Sequence, residues 1–138
     1  MGKNLPRVVI DTNIFYSALL FGGNPSKIIL IASKNRIISI ISLPILNEIE
    51  ILFETKASFS RETIQLIVSK IKEYSTVVLP KNKLNIVRHD ADNKIIEAAV
   101  EGDCQYVITG DKDLLVLKNY KKIKILTPSE FLKIFENK

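Results

Sequence analysis

The sequence predicts an α/β fold, a three-layer α/β/α domain over residues 1–138 around a mostly parallel sheet of about five strands. Three observations carry that expectation. Short runs rich in Val and Ile alternate with longer segments of helical periodicity. Strands separated by helices pair in parallel through right-handed crossovers. The 138 residues, 46% apolar, suffice for one core, and no internal repeat or Gly/Ser/Pro-rich linker divides them.

Each element has its own signal. "RVVID" (7–11) is a β-branched run that stops on an acid, and a helix over 13–20 follows at once. Asn24-Pro25 places a cap residue before a proline and predicts a helix over 25–34. "IISII" (37–41) has the unbroken apolar character of a strand covered on both faces. The helix over 43–54 carries a stripe of Ile45, Leu46, Ile49, Leu52 and Phe53, and Ser60 can cap a helix over 60–73. "TVVL" (76–79) is the next strand. In the helix over 91–102, Asp90 is the expected cap, Ile95, Ile96, Ala98 and Ala99 form the apolar face, and Glu97 is expected to face solvent. "YVIT" (106–109) and "KIKIL" (122–126) complete the strands. "TPSE" (127–130) is a capping box, Thr127 with Glu130, that opens a helix over 128–136.

Composition narrows the function classes. No apolar run approaches the ~20 residues of a membrane span. "MGKNLPRVV" lacks a hydrophobic signal region, and Pro6 stands where a myristoylation signal at Gly2 wants Ser or Thr. The single cysteine, Cys104, has no partner for an internal disulfide and reads as a buried small residue before a strand. These features lead us to expect a cytoplasmic protein with no membrane partner. With one Cys and one His, a zinc site is not expected. The net charge of +5 is compatible with a nucleic-acid partner.

The acids are the informative residues. In open parallel sheets, sites form beyond the carboxyl ends of strands, which is where Asp11 ends its strand. "YVITGDKDLL" puts Asp111 and Asp113 just beyond a second strand end, where Asp111 can also cap a short helix. Asp92 falls inside the apolar face of its helix, where an unpaired carboxylate costs several kcal/mol, roughly. Its place in the first turn offsets part of that through the helix dipole. In "SLPILNEIEILFE", Glu48 and Glu50 flank the apolar stripe on opposite sides, and periodicity does not choose between them. Two unit charges 4 Å apart repel by about 4 kcal/mol at an effective dielectric near 20. Clustered acids therefore suit a hard divalent cation, Mg²⁺ or Mn²⁺, one ion or two.

In order, "VVIDTNIFYSALL", Glu48 in "LPILNEIE", "DNKIIEAA" and "VITGDKDLL" resemble the PIN domain, and more narrowly the PIN-family toxins of prokaryotic toxin–antitoxin pairs. The resemblance spans nearly the whole chain. It implies a metal-dependent ribonuclease with Asp11, Glu48, Asp92 and Asp111 as the acidic quartet and Asp113 as an additional acid. Asp11, Asp92, Asp111 and Asp113 are then the expected metal ligands. Asn13 and Thr109 match polar positions that shape the pocket, and Glu48 is favoured over Glu50. A homodimer and a small antitoxin protein are the implied partners, with RNA as substrate.

Outside the acids, "LKNYKKIK" offers Lys118, Lys121, Lys122 and Lys124 around Tyr120, and "LPKNKLNIVRH" offers Lys81, Lys83 and Arg88. These could grip phosphates, with Tyr120 stacking on a base. His89 reads as a partly exposed residue before a helix rather than a general base. A dehalogenase-type phosphotransferase would need Asp at position 13, where Asn13 stands, and a response-regulator receiver would need paired acids at the first strand end. A non-catalytic RNA- or protein-binding module is the rival from another class.

Overall fold

A computed structural model describes residues 4–137, so Gly2 lies outside the described residues. The chain runs β1 (Arg7–Ile10), α1 (Thr12–Phe21), α2 (Gly23–Ser33), β2 (Ile38–Ser42), α3 (Leu43–Ala57), α4 (Arg61–Tyr74), β3 (Ser75–Val78), α5 (Asp90–Glu101), β4 (Tyr106–Ile108), α6 (Lys112–Leu115), β5 (Asn119–Tyr120), β6 (Ile123–Leu126) and α7 (Pro128–Glu136). The described strands form one sheet in the order β3-β2-β1-β4-β6-β5. All pairings are parallel except β5 with β6.

β1 is central because it can be covered everywhere. Val8 and Val9 are fully buried, with β2 on one side (Val9 opposite Ile40) and β4 on the other (Val9 opposite Val107). The connections through α1–α4 step one way along the sheet and the connection through α5 steps back the other way. Right-handed crossovers therefore place α5 on the opposite face from α1–α4. There α5 packs directly on β1, β2 and β4 through Ile95, Ile96, Ala98 and Ala99, all buried.

The strand ends matter most for the site. The β1–β4 ladder reaches one residue past β1, since the Asp11 N–H donates to the Ile108 carbonyl at 2.9 Å. The Asp11 carbonyl already accepts from the Ile14 N–H at 3.0 Å, so Asp11 is at once the last residue of the ladder and the cap residue of α1. Ser42 does the same for β2 and α3, its Oγ accepting from the Ile45 N–H. β1, β2 and β4 thus lead into Asp11, Ser42 and Thr109 at one sheet edge.

Several expectations need correction. A sixth strand, β5, pairs antiparallel at the sheet edge, and a two-residue turn, Lys121-Lys122, joins it to β6. Two residues in "KNYKK" are too few and too polar to announce a strand; Lys121 takes a positive φ of 54° in the turn, and Lys118, just before β5, one of 62°. α2 is capped by Gly22 at φ 74°, not by Asn24. That conformation suits glycine and bends the α1–α2 pair by 108°. α5 begins at Asp90 with His89 as its cap residue, because the His89 carbonyl accepts the first helical bonds from Asp92 and Asn93. Glu97 is buried rather than solvent-facing, because residues 81–88 lie over that side of the helix. Ser60 and the Thr127–Glu130 capping box are found as expected. Among the described residues, no single helix is long and apolar enough to cross a membrane.

Candidate active site

Thr109 is the pivot of the acidic edge. Its hydroxyl, fully buried, donates to Asp11 Oδ2 at 2.6 Å and accepts from the Asp111 N–H at 3.0 Å. One side chain thereby ties the end of β1 to the loop after β4. Asp111 Oδ1 in turn accepts from the Asp113 N–H at 2.9 Å, capping α6 and turning Asp113 toward the cluster. From the other face of the sheet, the first turn of α5 delivers Asp92. Asp92, Asp111 and Asp113 each offer a carboxylate oxygen, and the three atoms lie within 4.8 Å of one another.

The electrostatics follow from burial. Asp11 is 5% exposed, and desolvation raises its pKa; the Thr109 hydroxyl and the Thr12 N–H pull the other way, and the charges of Asp111 and Glu48 add to the rise. Asp92 is 7% exposed and is pushed up to about 7, first by burial and then by Asp111, Asp11 and Asp113. Asp92 Oδ2 is buried and has no hydrogen-bond donor among the described residues. Such an atom has two remedies here: a proton shared with Asp111, or a cation. The donor set is all oxygen and anionic, which fits Mg²⁺ or Mn²⁺ and does not fit a soft metal.

Glu48 on α3 is close enough to act on Asp11 electrostatically, whereas Glu50 faces away and pairs with Arg61 at 3.4 Å. Asn13 is exposed on α1 and, among the described residues, bonds to none of these acids; the buried Thr12 beside it supplies the backbone contact instead. Lys121 and Lys122 sit in the turn that precedes β6, at the amino-terminal edge of the sheet, opposite the acids. Tyr120 lies in β5 with the Lys121 ammonium over its ring at 5.6 Å, and Lys118 is exposed at the start of that hairpin. Lys81 and Lys83 are exposed on the segment that runs along α5, and the Lys81 N–H donates to Glu101 at the far end of the helix.

Two basic groups do reach the acids. Arg88 Nε and His89 Nε2 each lie 3.3 Å from Asp113 Oδ2. The residue that places them escaped sequence reasoning. Asn93, 2% exposed, accepts from the Ile86 and Val87 N–H groups at 2.9 and 3.0 Å and donates to the Val87 carbonyl at 3.0 Å. The available signal was an amide beside Asp92 in the first turn of a helix whose buried side is mostly apolar.

Thr109→Val tests the pivot. It removes a hydroxyl with almost no change in shape, leaving Asp11 with only the Thr12 N–H and the Asp111 N–H without its acceptor. We expect a loss of about 1–3 kcal/mol in a denaturant melt, together with weaker Mn²⁺ binding in a titration. Unchanged metal affinity would show that Thr109 does not orient the acids.

Three comparisons bear on this arrangement. A family model described as PIN domain matches residues 7–113. The uncharacterized protein MJ1680 of Methanocaldococcus jannaschii is 34% identical, over 99% of this chain and 96% of that protein. The crystal structure of VapBC2 from Rickettsia felis, bound to a DNA fragment from their promoter, contains a chain of similar fold. The TM-score is 0.60 at 15% identity, covering 86% of this chain and 96% of that one.

Proposed function

The chain belongs to the PIN domain family, and from that premise we propose that it is a metal-dependent endoribonuclease, the toxin of a toxin–antitoxin pair. The observation that carries the reading is the convergence of Asp92, Asp111 and Asp113 around a buried carboxylate oxygen with no donor. A structural role for that cluster is hard to sustain, because like charges so close destabilise the fold.

Asp92, Asp111 and Asp113, with Asp11 behind them, would hold one or two Mg²⁺ or Mn²⁺ ions. A divalent ion there supplies charge stabilisation at a scissile phosphate and acidifies bound water. The chain's own residues do the rest. Thr109 fixes the rotamer of Asp11 and the loop of Asp111. In this reading Glu48, half-buried on α3 and near enough to Asp11 to act on its charge, would be the group that accepts a proton from an attacking water. The buried floor formed by β1 and β4 keeps the acids from relaxing away from one another.

The likeness in fold to a chain of the VapBC2 structure supports an antitoxin partner in this reading. A cavity of about 600 Å³ between α1, α2, α3 and α4, lined by Phe15, Leu19, Ile29, Leu30, Phe53 and Ile67, offers an apolar seat for its helix. Homodimerisation is part of the same reading.

The test is cleavage of a mixed pool of structured RNAs with Mn²⁺, with Mg²⁺ and with EDTA. Cutting is expected with metal and not with EDTA, and is expected to vanish in Asp11→Asn and Glu48→Gln. Glu50→Gln should cut normally, since it loses only an ion pair with an exposed arginine. No cleavage together with no metal-induced thermal stabilisation would sink the nuclease reading in favour of a binding module.

A further inference from the structure

An acidic pocket repels a polyanionic substrate, so a nuclease built on one needs a cation at its mouth. Lys121 and Lys122 do not supply it, because they lie at the opposite sheet edge. Lys81 is tethered nine helical positions below Asp92, roughly 14 Å away along the axis. Arg88 is different. Its Nε sits on Asp113, its side chain is 77% exposed, and among the described residues its two terminal nitrogens make no hydrogen bond. Guanidinium donors arranged as a fork match phosphate geometry.

Its placement is built. Down one side of α5, Asn93, Glu97 and Glu101 stand four residues apart and each accepts backbone N–H groups of the segment alongside. Glu101 takes Lys81, Glu97 takes Leu84 at 2.9 Å, and Asn93 takes Ile86 and Val87. Glu97 and Asn93 are almost fully buried, 5% and 2% exposed, so these are committed contacts and not surface coincidence. The ladder ends immediately before Arg88, which it leaves hanging over Asp113.

We propose that Arg88 is a phosphate-binding residue at the rim of the acidic pocket and that Asn93 is the positioning residue that places it there. The inference rests on the nuclease reading. Were Asp113 to ligate a cation, the Arg88 guanidinium would keep its place on the same segment with its fork of donors free for a phosphate of the RNA strand.

The experiment measures binding of a fluorescent single-stranded RNA by Asp11→Asn protein with Mg²⁺ at several salt concentrations. Arg88→Ala in that background is expected to weaken binding about tenfold at low salt and to reduce the slope of log affinity against log salt by about 0.7, one phosphate contact on a single strand. Arg88→Lys should restore the slope. Lys34→Ala, a charge-matched change at the exposed cap residue after α2, should leave it alone. Asn93→Ala should lower the slope like Arg88→Ala and add nothing when the two are combined. If Asn93→Ala does not fold, Val87→Pro removes one donor of the same clasp from the other side. An unchanged slope in Arg88→Ala, or an equal loss in Lys34→Ala, would overturn the proposal while metal-dependent cleavage by the wild type still upheld the nuclease reading. No RNA binding by the background protein and no cleavage by the wild type would overturn both.

Discussion

Asp92→Asn is expected to lower RNA cleavage by roughly a thousandfold and, in the absence of metal, to make the protein more stable. The two effects have one cause. Asp92 is a buried carboxylate with one oxygen unsatisfied, and three further acids raise the cost of ionising it. Asparagine keeps the shape, removes the charge and brings an N–H that Asp111 can accept. At pH 8 the gain is of order 2–4 kcal/mol, a rise on the order of 10 °C in Tm for a chain of this size. Thermal melts in EDTA beside the cleavage assay check both halves. A variant that loses activity and also stability would mean that Asp92 supports the fold rather than the chemistry.

Without a divalent ion, the wild-type protein is expected to lose stability as pH rises from about 4 to about 7. An unfolded aspartate titrates near 3.9, whereas Asp92 in the fold is pushed up to about 7. Between those values the folded protein holds the extra proton, so stability falls with rising pH. The contribution is fully present below pH 4 and lost above pH 7. Its ceiling is roughly 4 kcal/mol. Asp11, also raised, acts with the same sign, and the coupled acids titrate as a group. Mn²⁺ at pH 8 should restore the lost stability, because binding needs the carboxylates ionised. Melts from pH 4.5 to 8 with EDTA and with Mn²⁺ measure this. A metal-free Tm that is flat or climbs over that range would show that the acids are not held together.

Much of this was legible in the sequence wherever a signal is local. The acid that ends β1, the Asp92 within the apolar face of α5 and the Thr127–Glu130 cap each depend on neighbours a few residues away, and each lies where its pattern indicates. What escaped depends on a distant segment. Glu97 was expected to face solvent because periodicity reports which way a helical residue points and not what another stretch of chain lays over it. Glu48 and Glu50 looked equivalent because Arg61, which takes Glu50, belongs to the next helix. The hairpin lysines are visible in the sequence as charge alone, whereas the sheet direction that sets Lys121 and Lys122 at the edge opposite the acids is not. Asn93 was missed for the same reason as Glu97, since its partners are backbone groups that carry no side-chain signature.

The order of the strands has a consequence in time. Asp11 is anchored by Thr109, 98 residues later in the chain, and the acids that surround it arrive with Asp92, Asp111 and Asp113. A ribosome that has released the amino-terminal half has released no pocket. At about 5–20 residues per second, several seconds of synthesis separate the first acid from the last. The central strand must wait throughout for one of its two neighbours. On the nuclease reading, a chain assembled this way has no complete acidic cluster, and is expected to be inert, until the segment that carries Asp113 has emerged.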